Sequence, residues 1–118
     1  MPERTWVAEE LAKILGVLAH PHRIQIIEEL RNGERDVNAL EEALGITHSR
    51  VSQHLAKLRA QSLVTTRREG RHVFYRLQDP EMARWLITGL DFLEARAQRQ
   101  QGLCTAIEHV RHEWSDES

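Results

Sequence analysis

The chain has 118 residues, 41% of them apolar, which is enough for one ordinary hydrophobic core and too little for a second independent domain. It carries a formal charge of −2 and a single cysteine, Cys104, with no apolar run long enough to span a membrane and no basic segment ahead of a hydrophobic stretch. These features exclude an internal disulfide and an all-cysteine zinc site within one subunit, and they predict a cytoplasmic protein with one domain over residues 1–118.

Trp6, Val7, Leu11, Ile14, Leu15 and Leu18 recur at intervals of three and four, which predicts an amphipathic helix from about Arg4 to Leu18. Pro21 stands where a first-turn proline belongs, and Ile24, Ile27 and Leu30 supply the buried stripe of a second helix that stops before Asn32-Gly33. Both read as core helices. Asp36 is the expected N-cap of a short third helix containing Val37, Leu40 and Leu44, and Gly45 ends it where a left-handed residue is needed. Only Ile46 separates that glycine from Thr47, the N-cap of a fourth helix running to about Gln61. So short a turn forces the two helices to cross steeply, as in a helix-turn-helix, here spanning about 37–61.

Leu63 to Arg68 and His72 to Leu77 are β-prone runs joined by Glu69-Gly70-Arg71, a two-stranded wing over about 63–77. From Asp79-Pro80 the pattern is helical again, with Leu86, Leu90, Leu93 and Ala97 in one stripe and Leu103, Ile107, Val110 and Trp114 in another. The two are out of step with Gly102 between them, so a break or bend is expected there, and a frayed tail from Ser115. The fold class is mainly α with a small β-hairpin, a winged helix-turn-helix in the order α-α-α-α-β-β-α. The first helix and the segment over about 80–114 carry more apolar surface than a three-helix core with a small wing can cover. A homodimer through the first and last helices is therefore expected.

The mean charge conceals an asymmetry. Between Thr47 and Arg76 stand seven basic residues and one acid, Glu69, so this stretch is +6 and the remainder −8. A basic patch on an acidic chain suits phosphate binding, because it orients the approach to DNA while the rest discourages indiscriminate sticking. On a helical wheel Val51, Leu55 and Leu58 form the core-facing stripe of the fourth helix, and Ser49, Gln53, Ala56 and Ala60 lie opposite, flanked by Arg50 and Lys57. Hydrogen-bonding groups at the N-terminal end and small alanines further along allow close approach to a groove floor. With Arg71 at the wing tip, the candidate DNA-contacting residues are His48, Ser49, Arg50, Ser52, Gln53, Lys57 and Arg71. Arg67, Arg68 and Arg76 are assigned to phosphates or to pairing with glutamates. His54, at the edge of the core stripe, reads as a structural residue satisfied by a neighbour, His20 as a weak helix-start residue and His22 as exposed.

The run Leu18-Ala-His-Pro-His-Arg23-Ile-Gln-Ile-Ile27, the run Leu44-Gly-Ile-Thr-His-Ser-Arg-Val-Ser-Gln-His-Leu-Ala-Lys-Leu-Arg59, and Arg68-Glu-Gly-Arg-His-Val-Phe-Tyr75 together resemble the ArsR/SmtB family of bacterial winged-helix repressors, over about Leu11 to Leu93. The resemblance implies a homodimer that occupies duplex operator DNA and releases it on sensing a metal, a metalloid or a redox species. The family's usual ligand patterns are incomplete here. Asp36 and Asn38 stand where the resemblance would place a Cys-x-Cys pair, and Arg96 and Gln98 stand where it would place the first half of a set made of Asp-x-His followed by His-x-x-Glu or His-x-x-His. The second half is present as His109 and His112, one turn apart, which leaves these two as candidate ligands for a divalent metal and Cys104 as the rival redox sensor. A ligand-independent repressor and a winged-helix protein-interaction module stay open as alternatives. An enzyme is not expected, since it would need a nucleophile, a base and a positioned orienter, neither Ser49 nor Cys104 has such a setting, and the six glycines form no phosphate-cradling loop.

Overall fold

The computed structural model describes residues 2–116. Its elements are α1 (Glu3–Leu18), α2 (Pro21–Leu30), β1 (Arg35–Asp36), α3 (Val37–Leu44), α4 (His48–Ala60), β2 (Val64–Glu69), β3 (His72–Leu77), a 3₁₀ turn (Pro80–Met82) and α5 (Ala83–Asp116). The chain divides into two compact units, residues 1–83 and 84–118. Among the described residues no helix is long and apolar enough to cross a membrane.

In the first unit, local chemistry sets the start of α2 and both ends of α3 and α4. His20 adopts an extended backbone and its Nδ1 accepts the His22 amide at 3.2 Å, with Pro21 at the first helical position, so α2 starts as a capped helix. Asp36 Oδ1 accepts the Ala39 amide at 2.8 Å and opens α3. Gly45, at φ 68°, closes α3 with its amide donating to the Glu41 carbonyl, a left-handed position that disfavours a side chain. Thr47 Oγ1 then accepts the Arg50 amide at 3.3 Å and opens α4. At the far end of α4, Ser62 takes φ 58°, the Leu63 amide reaches back to the Leu58 carbonyl and the Ser62 amide to Arg59. This is a Schellman closure with serine where glycine is usual.

The core is made by α2, α3, α4 and the sheet. Ile26, Ile27 and Leu30 of α2, Leu40 of α3, Val51, Leu55 and Leu58 of α4, and Leu63, Val64 and Leu77 at the root of the wing are buried. Each such aliphatic side chain contributes roughly 1.5–3 kcal/mol relative to exposure. Ile26, not Ile24, is the third member of the α2 stripe, and Ile24 remains exposed. The core closes without α1, none of whose residues is buried, so the expectation of a core helix fails there. Its last turn is held by Arg23, whose Nη1 donates to the Val17 carbonyl at 3.1 Å.

The sheet has three antiparallel strands in the order β1-β3-β2, so the expected hairpin is extended by a short strand between α2 and α3. Arg35 pairs with Tyr75 and Asp36 with Phe74, while β2 and β3 run in register from Val64 opposite Leu77 to Glu69 opposite His72. That register leaves Gly70 and Arg71 as a two-residue loop, with Gly70 at φ 60° supplying the positive dihedral such a turn needs.

The described part of the second unit is all helical and belongs to α5, which has 34 residues and is about 50 Å long at helical rise. It runs unbroken through Gly102, against the expected break, because one glycine costs only about 0.5–1 kcal/mol in a helix interior. Leu90, Phe92, Leu93, Leu103 and Ile107 are exposed along it. The Trp114 side chain, expected in its second stripe, lies outside the described residues, as does the end of the expected tail, whose Ser115 and Asp116 are still helical.

Candidate nucleic-acid interface

The turn Gly45-Ile46-Thr47 seats α4 against α3 and α2, and it divides α4 sharply into two faces. Val51, Leu55 and Leu58 are completely buried. Ser49, Arg50, Gln53, Ala56, Lys57 and Ala60 are exposed on the other side. The α4 N-terminus, the positive end of the helix dipole, carries Ser49 and Arg50 and is suited to an anionic phosphate. Lys57 and Arg59 occupy the last turn, where cations offset the negative end of the dipole.

The structure separates the remaining site residues by environment. Ser52 is half-buried, one step round the helix from the exposed face. His48 is exposed but its Nδ1 sits 3.1 Å from Glu41 Oε2, a link from α4 back to α3 across the turn. Arg71 is exposed in the two-residue loop at the wing tip. Arg67 takes the glutamate alternative: it donates to Glu34 Oε1 at 2.6 Å and Oε2 at 3.2 Å and to Glu69 at 2.8 Å, and its guanidinium stacks 4.8 Å from the Phe74 ring centre. Those bonds hold the Glu34 carboxyl below its ordinary range and raise the Arg67 guanidinium, so this arginine braces the wing against the loop before β1. Arg68 and Arg76 are exposed on the strands.

The C-terminal candidates all lie on α5. Cys104 is exposed, and His109 Nε2 lies 3.0 Å from Glu113 Oε1, one turn along the same helix. His112 is exposed as well.

Sequence reasoning missed one constellation. His20, His22 and His54 are half-buried and close together, the only group of three metal-competent side chains among the described residues with ligand atoms in mutual reach. The expectation that His22 is exposed is overturned: its Nδ1 is buried and has no hydrogen-bond partner among the described residues. His54 is satisfied by a neighbour as expected, its Nδ1 accepting Arg23 Nε at 3.2 Å, and His20 is the α2 cap. The signal in the sequence was the His-Pro-His triplet at the start of a helix, but its distance in sequence from His54 hid the meeting.

Residues 20–66, which hold α2, the helix-turn-helix and the first residues of the wing, match the model of the bacterial regulatory protein arsR family. The biofilm growth-associated repressor of Agrobacterium fabrum is 43% identical over 77 residues, 65% of this chain and 66% of that protein. The crystal structure of NolR from Sinorhizobium fredii superposes with a TM-score of 0.70 at 35% identity, covering 79% of this chain and 92% of that one. The homodimeric winged helix-turn-helix DNA-binding domain from Mycobacterium bovis gives 0.73 at 27% identity, covering 84% and 92%. Among curated relatives the match spans about three-fifths of their length, from 57% to 66% in several. With the helix-turn-helix, the wing and these likenesses all in agreement, the chain belongs to the ArsR family of bacterial regulatory proteins.

Proposed function

We propose that this chain is a transcriptional repressor that binds duplex operator DNA as a homodimer. The observation that carries the reading is the division of α4, whose Val51, Leu55 and Leu58 face is closed into the core while Ser49, Arg50, Gln53 and Lys57 face outward. Placed in a major groove, Gln53 addresses adenine and Arg50 pairs with guanine or braces a phosphate, with Ser49 and Lys57 completing the DNA-facing surface. His48 and Ser52 flank it, and Arg71 supplies charge at the wing tip, in reach of a minor groove when α4 is docked. The dimer brings two such helices to paired half-sites, and the apolar residues exposed on α1 and α5 are the surface it would cover. Release by an inducer belongs to the same reading, with Cys104 as a thiol sensor and His109 and His112 as metal ligands on α5.

The test begins with a duplex selected by the intact protein from a randomised pool. Arg50→Ala and Gln53→Ala should each weaken its binding by about 1–3 kcal/mol, read by fluorescence anisotropy, with random DNA little affected. Arg71→Ala should weaken selected and random duplexes alike and flatten the salt dependence by about one unit for each phosphate it no longer neutralises. Failure to select any preferred duplex, or unchanged affinity in both α4 variants, would overturn the proposal.

A further inference from the structure

The three histidines that meet between α2 and α4 come from positions fixed by separate local causes. His20 is the extended N-cap of α2, His22 lies in its first turn, and His54 sits at the edge of the buried stripe of α4. Ring centres are 4.6 Å apart for His20 and His54, 5.4 Å for His20 and His22, and 5.6 Å for His22 and His54. One donor nitrogen from each lies within 4.8 Å of the other two. We propose that His20, His22 and His54 form a binding site for one late first-row transition-metal ion, of which zinc is the representative.

The donor set selects the class of ion. Three imidazoles without a carboxylate suit zinc, copper or nickel and disfavour magnesium and calcium, which want oxygen ligands. Coordination at roughly 2.0–2.1 Å requires tetrahedrally placed nitrogens to approach to about 3.4 Å, so the rings must close by at most about 1.4 Å. The fourth position stays open to water or a small anion, and the neighbouring Arg23, Arg50 and Lys57 favour an anion there. Burial first, and then the neighbouring charges, lowers the pKa of both His20 and His54, which favours the neutral form that ligates. The buried, unpartnered Nδ1 of His22 is a polar atom that its own chain leaves unsatisfied among the described residues.

Loading the site has a structural consequence. A neutral imidazole has one in-plane lone pair, and in His54 and His20 that pair already accepts Arg23 Nε and the His22 amide. An ion that takes both rings must displace both hydrogen bonds, whichever nitrogen it uses. Arg23 then loses its hold on α4 while it still donates to Val17 in the last turn of α1. The ion would thus alter the linkage of α4, the proposed DNA helix, to α2 and α1. That consequence for DNA rests on the repressor reading; the site itself does not.

The experiment uses the untagged full chain carrying Cys104→Ser, His109→Ala and His112→Ala, which silences the α5 candidates. Zinc is titrated against a chromophoric chelator, and cobalt(II) is added separately to read coordination from its visible absorption. The expected result is one zinc per chain and a four-coordinate cobalt spectrum. His20→Asn, which keeps a capping side chain, and His22→Gln should each weaken zinc by about 100-fold or more, since even the loss of an outer partner costs 10- to 100-fold. If either variant loses its helical circular dichroism, ring ¹⁵N spectra of the background protein decide instead, with zinc shifting His20, His22 and His54 together. Failure to bind zinc, retained affinity in the folded variants, or ring shifts that spare these three would overturn the site. Zinc is measured without DNA and the α4 variants without zinc, so the two proposals fail separately.

Discussion

The helices α4 and α5 are both marked by apolar residues three and four positions apart, yet they end in opposite states. In α4, Val51, Leu55 and Leu58 have no exposure, whereas in α5 Leu90 is 61% and Leu93 57% exposed. Periodicity in a sequence reports which face of a helix is apolar and is silent on what covers it. For α4 the cover is supplied within 83 residues by α2, α3 and the root of the wing. For α5, and for Trp6, Val7, Leu11 and Leu15 of α1, the same pattern is left open. One amphipathic signal therefore serves two purposes, internal packing and proposed association, and substitution distinguishes them.

The largest effect is expected at the closed face. Leu55→Ala removes a fully buried side chain and should lower the unfolding free energy by about 2–5 kcal/mol in denaturant titrations at any protein concentration. Leu93→Asp, at an open position, should leave the secondary structure intact while shifting sedimentation toward a monomer and removing the concentration dependence of the melting temperature. Equal, concentration-independent losses in both would erase the contrast, because α5 would then be packed no differently from α4.

The same distinction explains what was legible beforehand. Asp36, Gly45 and Thr47 act through bonds to residues a few positions away, so the boundaries of α3 and α4 could be read from side-chain chemistry alone. The outward face of α4 followed from the buried one. β1 was missed because two residues cannot show a period, and only pairing with Phe74 and Tyr75, nearly forty positions on, makes them a strand. Ile24 was taken in place of Ile26 because it continues the spacing of three through Ile27 to Leu30, whereas Ile26 meets that stripe only at four from Leu30, and the neighbours that bury Ile26 come from other elements. The histidine cluster was invisible for the same reason: His22 and His54 are 32 positions apart and meet only through the crossing of α2 and α4.

A second prediction probes that crossing by pH. Burial first, then the neighbouring His20, Arg23, His22 and Arg50, holds the His54 imidazole below its ordinary value of 6.5, and burial with Arg23, His22, Arg50 and Lys57 does the same to His20. A base whose folded pKa is lowered binds its proton more readily in the unfolded chain, so stability falls as pH drops through about 6.5 toward the folded values. In metal-free buffer, the melting temperature should decline between pH 8 and pH 5.5. His54→Gln, which retains an acceptor for Arg23, should flatten that decline, and an unchanged slope would show that the α2 and α4 junction is indifferent to the charge on His54.

The smallest effect concerns how α4 ends. Ser62 holds φ 58° so that the Leu63 amide can turn back to the Leu58 carbonyl, which also brings the buried Leu63 and Leu58 side chains to the same end of the core. A β-carbon in that left-handed conformation costs roughly 1–2 kcal/mol, part of which glycine returns through the greater freedom of the unfolded chain. Ser62→Gly should therefore stabilise the protein by about 0.5–1 kcal/mol in denaturant titrations. Ser62→Ala keeps the β-carbon and discards the hydroxyl, so it should leave stability within a few tenths of a kcal/mol of the parent. A gain in the alanine variant equal to that in glycine would assign the effect to the hydroxyl, and a loss in the glycine variant would show that the serine conformation is not strained. The expected pattern would place the remaining weakness of α4 in its closing turn, away from the packed face that distinguishes it from α5.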